Sequence, residues 1–284
     1  MKHYLLYGLL GFLIWGCEDV VDVETPSEPP RLSLDALIRL DLSQTTQRVK
    51  VKAGLTGSFF GEPQPATLSL ITIANPEKPN TFENPNYIVL EESAPGVYEG
   101  FKNTDFFTSG ELLLQVEYED QIYLARTRFV PTVPIDSLAQ GDGTLFNGDE
   151  TEVIVSFTDD GDRDDFYLFD FDFNEYLVTE DEFYQGQQFT FSYFYDGNLE
   201  PGMEVEISIM GVDEGLYAYM DQLIEQAGDL QGPFQTPAAT VRGNIINATD
   251  IDNIDSFDNV DNPNNFVLGY FAVVQELKSS ITIE

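Results

Sequence analysis

Few residues in this chain carry side chains suited to nucleophilic or metal chemistry. Cys17 is the sole cysteine and His3 the sole histidine among 284 residues. A lone thiol cannot close an intrachain disulfide, but it can take a lipid through a thioether. Lys2 is followed by an apolar run over residues 4–15, and Gly16 stands directly before Cys17. A spanning helix needs about 20 residues, so a run this short suits the h-region of a secretory leader instead. We therefore expect a leader over residues 1–16 and a mature chain beginning at Cys17. That mature chain has no imidazole and no free thiol, which excludes Ser-His-Asp, Cys-His and His-ligated zinc chemistry. It also has no phosphate-cradling glycine loop. Carboxylate-only chemistry remains, such as glycoside hydrolysis by two acids about 5–9 Å apart. With 50 Asp and Glu residues, such pairs arise without meaning, and the chain is read as non-catalytic.

The residues around Cys17 resemble the lipobox of bacterial lipoproteins, with Ile14 at the third place before the cysteine. Trp15 departs from the small residue usual at its place. The resemblance implies acylation of Cys17, palmitate included, and more than one acyl chain makes a stable anchor. Glu18 and Asp19 follow at once and look like the surface-export signal of Bacteroidota lipoproteins. The expected location is the outer membrane, lipid-anchored and exposed at the cell surface. Residues 17–30 hold Pro26, Pro29 and Pro30 among alternating acids and read as an extended tether.

Charge is the strongest compositional feature. The formal net charge is −37, from 50 acidic and 13 basic residues. Residues 17–128 hold 18 acids and 9 bases; residues 129–284 hold 32 acids and only Arg163, Arg242 and Lys278 as bases. Such a chain does not bind nucleic acid by neutralising phosphates. It can attract divalent cations or a basic partner surface. The densest cluster runs from Asp159 to Asp165. In it Asp160, Asp162 and Asp164 have the spacing of the first ligands of an EF-hand loop. Asp165 stands where that loop needs glycine and Phe171 where it needs a bidentate glutamate, so a full EF-hand is excluded. Two readings stay open: a looser Ca²⁺ loop, or a solvated hairpin tip with Arg163 as counter-charge. No other cofactor is indicated.

The elements that would position these residues are mainly β. Leu32, Leu34, Ala36, Ile38, Leu40 and Leu42 alternate with mostly polar neighbours. Val49, Val51, Ala53 and Leu55 alternate with Arg48, Lys50 and Lys52. Further strands are expected over 66–73, 87–90 and 97–98, then a hairpin over 111–130 turning at Glu119-Asp120. That many short strands in residues 31–130 signals a sandwich of immunoglobulin or transthyretin type. Gly96-Val97-Tyr98 followed by a strand led by Gly110 resembles transthyretin-like and carboxypeptidase-regulatory-like sandwiches. Lys50, Lys52, Arg126 and Arg128 read either as one basic face or as separate solvent-side charges. Residues 131–149, with Pro131 and Pro134, read as a linker, and 150–284 as a second β-rich domain. In it Tyr167, Phe169, Phe171 and Phe173 share one strand face, and Phe189, Phe191, Tyr193 and Tyr195 another. Both stripes are read as core. One α-helix is expected over about 213–227, with Leu216, Tyr217, Met220, Leu223 and Ile224 as its apolar stripe. A three-residue repeat over 251–262, Ile/Phe/Val-Asp-Asn/Ser, reads as an acidic surface loop or a second cation site.

The ordered motifs Tyr217-Ala218-Tyr219, Pro233 to Pro237, Gly243-Asn244-Ile245 and Gly269-Tyr270-Phe271, behind the lipobox and the sandwich, complete a pattern. It is similar to a Bacteroidota outer-membrane lipoprotein family of unknown function, whose members are commonly encoded beside SusC-like TonB-dependent receptors. The resemblance implies an accessory subunit of an outer-membrane β-barrel, most specifically a TonB-dependent transporter, with other surface lipoproteins as further partners. Its role would be substrate capture or structural support. Two alternatives stand beside it: a subunit of a machine that assembles barrels or exports surface lipoproteins, and a Ca²⁺-dependent adhesin or glycan-binding module.

Overall fold

The computed structural model describes residues 29–57, 64–145, 148–196, 199–227, 240–249 and 266–284. The expected leader, Cys17, Glu18, Asp19, the tether as far as residue 28, the 233–237 turn and the 251–262 repeat lie outside the described residues.

The first half of the chain is a two-sheet β-sandwich. One sheet is built from β1 (Leu32–Leu40) and β2 (Thr46–Leu55), with β3 (Gln64–Pro65) at the end of β2. The facing sheet begins with β4 (Leu70–Ala74) and β5 (Tyr87–Val89). The first sheet continues with β6 (Glu91–Ala94) and β7 (Val97–Asn103), β7 lying on β2. A short helix, α1 (Thr104–Phe107), leads to β8 (Glu111–Tyr118) and β9 (Gln121–Val130) of the facing sheet. Asn103 caps α1 by accepting from the Phe106 amide at 3.1 Å. Alternation builds the core as expected: Leu34, Ala36, Ile38 and Leu40 point inward from β1, and Val49, Val51 and Ala53 from β2. The β8–β9 hairpin turns where the sequence predicts. Glu119 and Asp120 take φ of 48° and 62°, the left-handed pair of a tight primed turn. Leu42 does not extend β1; it lies 40 % exposed in a turn that Asp41 closes by accepting from the Ser43 amide.

The second half contains a three-stranded sheet in the order β10 (Ile135–Gln140), β11 (Thr151–Thr158), β14 (Gln188–Tyr195). Against it pack β12 (Phe166–Asp170), β13 (Tyr176–Glu180) and β15 (Glu204–Val212). Residues 135–140, read from sequence as linker, form β10 because Ile135 and Leu138 pack on this second core. The helix stands where expected, as α2 (Glu214–Ala227). Asp213 caps it by accepting from the Leu216 amide at 2.7 Å. Tyr167, Phe169 and Phe171 are fully buried. Phe173 is not on their face: Asp172, Phe173 and Asn174 all take positive φ, and this left-handed turn swings Phe173 out to 48 % exposure. β16 (Ile246–Asn247) adds to β9 of the first half.

The final strand, β17 (Leu268–Thr282), joins the two halves. Leu268–Gln275 pairs in parallel with β1, in register from Ser33↔Leu268 to Leu40↔Gln275. The next residues pair antiparallel with β15, from Met210↔Glu276 to Glu204↔Thr282. Phe271 and Val273 enter the first core, while Leu277 and Ile281, on the same strand face, pack on the second. Ala272 and Val274, on the opposite face, lie in a third cluster with Leu168, Met210 and Leu216 of α2. The C-terminal segment, assigned from its position to the second domain, thus supplies core to the first half as well.

Two of the ordered motifs meet at the start of β17. Gly269 has φ +104° and sits so close to β1 that a Cβ there would lie 1.8 Å from the Leu34 carbonyl oxygen. The Asn244 side chain accepts from the Phe271 amide at 2.8 Å and donates to the Phe271 carbonyl at 2.8 Å. It also donates to the Arg126 carbonyl at 3.2 Å. One side-chain amide thereby bridges β9 and β17 where the backbone ladder does not. Asn244→Ala strips side-chain partners from both backbone groups of a fully buried residue. The expected cost is about 2–4 kcal/mol, read as a lower urea midpoint with an unchanged m-value.

Candidate functional site

The Asp-rich hairpin divides into a buried base and a solvent-facing tip. Asp159, Asp165 and Asp181 are buried, and Tyr167 is fully so. The Tyr167 hydroxyl lies 2.5 Å from Asp159 Oδ1 and 3.1 Å from Asp165 Oδ2, so one phenolic proton serves two carboxylates. Asp159 Oδ2 accepts from the Gly186 amide at 2.7 Å. Arg163 Nη2 donates to Asp165 at 2.9 Å. The Asp165 amide donates to Asp181 Oδ2 at 2.8 Å, which ties the hairpin to the 181–187 loop. Burial pushes the Asp165 carboxyl above its ordinary range, against the pull of Arg163. Ionised Asp165 therefore opposes folding above its folded-state pKa, and that opposition is lifted as pH falls through it. Burial and the two carboxylates also hold the Tyr167 phenol protonated, and burial pushes the Tyr184 phenol up to about 12.

Asp160, Asp162 and Asp164, the candidate Ca²⁺ ligands, are not drawn together. Asp160 lies 3.3 Å from Arg163 Nε and accepts from the Asp162 amide. Asp164 accepts from Gln185 Nε2 at 3.1 Å. Among the described residues no group of three carboxylates is arranged to hold a metal ion. The cluster that sequence reads as one unit is thus two: the end acids Asp159 and Asp165 brace the fold, and the three between them lie toward solvent.

Across the join, Arg39 Nη1 of β1 donates to Asp170 Oδ2 at 2.7 Å and to Glu276 Oε1 at 3.1 Å. Lys278 pairs with Glu206 at 2.7 Å. Burial alone would weaken the charge on Arg39, but the bond to Asp170 and the attraction of Glu276 outweigh it and raise its pKa. The partners come from β1, β12 and β17, more than 100 residues apart, and no local motif announces them. The other bases of the acidic half are engaged too: Arg163 as above, and Arg242 with its guanidinium 4.2 Å from the Phe266 ring centroid.

The basic residues of the first half do not make one face. Lys50 and Lys52 project from β2 on the outside of the first sheet, beside a shallow groove of 310 Å³ with Asp35, Leu37, Arg39 and Arg48. Arg126 and Arg128 project from β9 on the outside of the facing sheet. A larger open groove of 550 Å³ lies at the end of β2, between Lys52 and Gly96. The aromatic stripe of β14 faces inward: Tyr193 stacks on Phe171 at 3.7 Å and Phe189 on Tyr184 at 4.3 Å. These rings are thus spent on the second core, although Phe189, Phe191 and Tyr193 stay half-buried. The buried carboxylates of the hairpin are each taken up by internal donors. Among the described residues no helix is long and apolar enough to cross a membrane.

A family model described as a domain of unknown function, DUF4249, matches residues 18–280, so the chain belongs to that family. No curated protein matches the chain significantly.

The buried hairpin base yields a direct test. Tyr167→Phe removes the one proton shared by Asp159 and Asp165 while keeping the ring packed against Phe157. The expected loss is about 1–3 kcal/mol, measured by urea unfolding near neutral pH.

Proposed function

We propose that this DUF4249-family chain is a non-catalytic lipoprotein of the Bacteroidota cell surface, anchored through a lipid on Cys17. In this reading it serves as accessory subunit of an outer-membrane β-barrel, most specifically a SusC-like TonB-dependent transporter. The observation that carries the reading is the junction at Cys17: an apolar run, Gly16, the sole thiol, then Glu18 and Asp19. The family match beginning at residue 18, directly after that cysteine, supports it. The folded part supports a binding or scaffolding role. Its aromatic residues are mostly spent on cores, its buried acids on internal bonds, and its second half carries 32 acids against three bases. A tether before β1 lets such a body reach a neighbour in the same membrane while the lipid confines it to two dimensions, which raises its effective concentration at the barrel.

Cys17→Ala should abolish palmitate incorporation and move the protein out of the membrane fraction. Unchanged fractionation and labelling would contradict the anchor. Affinity isolation of the wild-type protein in mild detergent, at native expression, should bring a transporter barrel with it. Recovery as a lone monomer would contradict the partnership. Depletion that impairs many outer-membrane proteins at once, instead of uptake of one nutrient, would favour a barrel-assembly or lipoprotein-export machine.

A further inference from the structure

A strand at the end of a sheet exposes a row of unpaired amide and carbonyl groups, and natural proteins blunt such edges by brevity, charge, proline or a bulge. Most terminal strands here follow that rule. β5 has three residues and β3 two. β6 has four, carries Glu91 and Glu92, and breaks register between Glu92 and Ala94. β10 breaks register between Ile135 and Ser137, and the Glu284 amide donates to its Gln140 side chain. β13 has five residues and ends in Glu180.

β14 is the exception. Its eight residues, Gln-Phe-Thr-Phe-Ser-Tyr-Phe-Tyr, contain no charge, no proline and no glycine. Its ladder with β11 runs without a register shift from Thr158↔Gln188 to Thr151↔Tyr195. Among the described residues β11 is its only strand partner, and among them no turn or loop backbone bond reaches residues 188–195. The inward aromatics Phe189, Phe191 and Tyr193 are only half-buried, as expected of a sandwich open along that side. Packing against Phe169, Phe171 and Tyr184 holds the strand in place, so it needs no ordering before it pairs.

We propose that the outer edge of β14 is a strand-addition site that takes an extended segment of a partner polypeptide bearing lysine or arginine. Main-chain bonds would supply affinity and alternate side chains specificity. Charge selects the occupant. Carboxylates reach its side chains from neighbouring elements: Asp136 of β10 accepts from Gln188 at 3.2 Å, Glu152 of β11 from Ser192 at 2.5 Å, and Glu175 from Tyr193. Asp196 follows the strand. A second copy would bring the same carboxylates and another −37 charge to the interface, whereas a basic strand would neutralise them. Identifying the donor as a segment of a membrane partner rests on the accessory-subunit reading; the edge itself does not.

The test uses full-length protein in detergent and three labelled peptides of about ten residues. One alternates valine with lysine, the second is the same peptide with alternate backbone nitrogens methylated, and the third carries glutamate for lysine. The lysine peptide should bind and slow amide exchange in residues 188–195. Methylation, which leaves the charge intact, should weaken binding about tenfold or more, and the glutamate peptide should not bind. Equal binding by the methylated peptide would mean charge attraction alone and would overturn the proposal. Protection appearing at β6 or β13 instead would overturn it too. Self-association of the protein with β14 protected would name a second copy as the occupant and reject the basic partner. Because no barrel is present, failure here is distinguishable from failure to isolate a transporter.

Discussion

β17 is the constraint on which the rest of the molecule depends. One strand face supplies Phe271 and Val273 to the first core, then Leu277 and Ile281 to the second. The other face places Ala272 and Val274 beneath α2. A β-strand alternates with a period of two, so the face cannot change between the two cores without a bulge. The parallel register with β1 therefore fixes which face β17 presents beside β15. The hydrogen bonds and ion pairs at the crossing, Asn244 on Phe271 and Arg39 on Asp170 and Glu276, hold that register from both sides. The two halves are joined by a covalently continuous, fully paired element instead of a hinge.

That construction suits a tethered binding subunit. A rigid body loses less entropy on docking than two jointed ones. The acids buried among the described residues are four, and each is tied to an internal donor: Glu150 to the Leu145 and Gly148 amides, Asp159 to Gly186 and Tyr167, Asp165 to Arg163 and Tyr167, Asp181 to the Asp165 amide. The other described acids are at least partly exposed, with Asp170 and Glu276 held by Arg39, and they favour solubility and basic partners. Against this charged surface β14 stands apart: it carries no acid of its own, while Asp136, Glu152 and Glu175 reach its side chains from neighbouring elements.

Local periodicity made much of the architecture legible. The alternating strands of the sandwich, the Glu119-Asp120 turn, the inward aromatic stripes and the Asp213-capped helix all follow from neighbours a few residues apart. Pairing between distant segments was not legible. Nothing near Leu268 in the chain announces β1 as its partner, and nothing near Arg39 announces Asp170. The Gly243-Asn244-Ile245 and Gly269-Tyr270-Phe271 motifs could be seen, but not that they meet. β10 was missed because two prolines outweighed Ile135 and Leu138, although both prolines lie before the strand. Asp159 to Asp165 read as one cluster because sequence spacing does not separate inward from outward carboxylates; in the structure only the two end acids, Asp159 and Asp165, turn inward. Period-two counting misplaces Phe173 because it runs on past Phe171, and the chain turns left-handed from Asp172 to Asn174.

Native-state hydrogen exchange on β1, β15 and β17 tests the shared strand most directly. If β17 completes both cores, the slowest amides in Ala36, Ile38, Ile207, Ile209, Val273 and Leu277 should open with one common free energy, equal to that of global unfolding. Two separate values, with Val273 following β1 and Leu277 following β15, would mean that the halves unfold independently and would contradict the account.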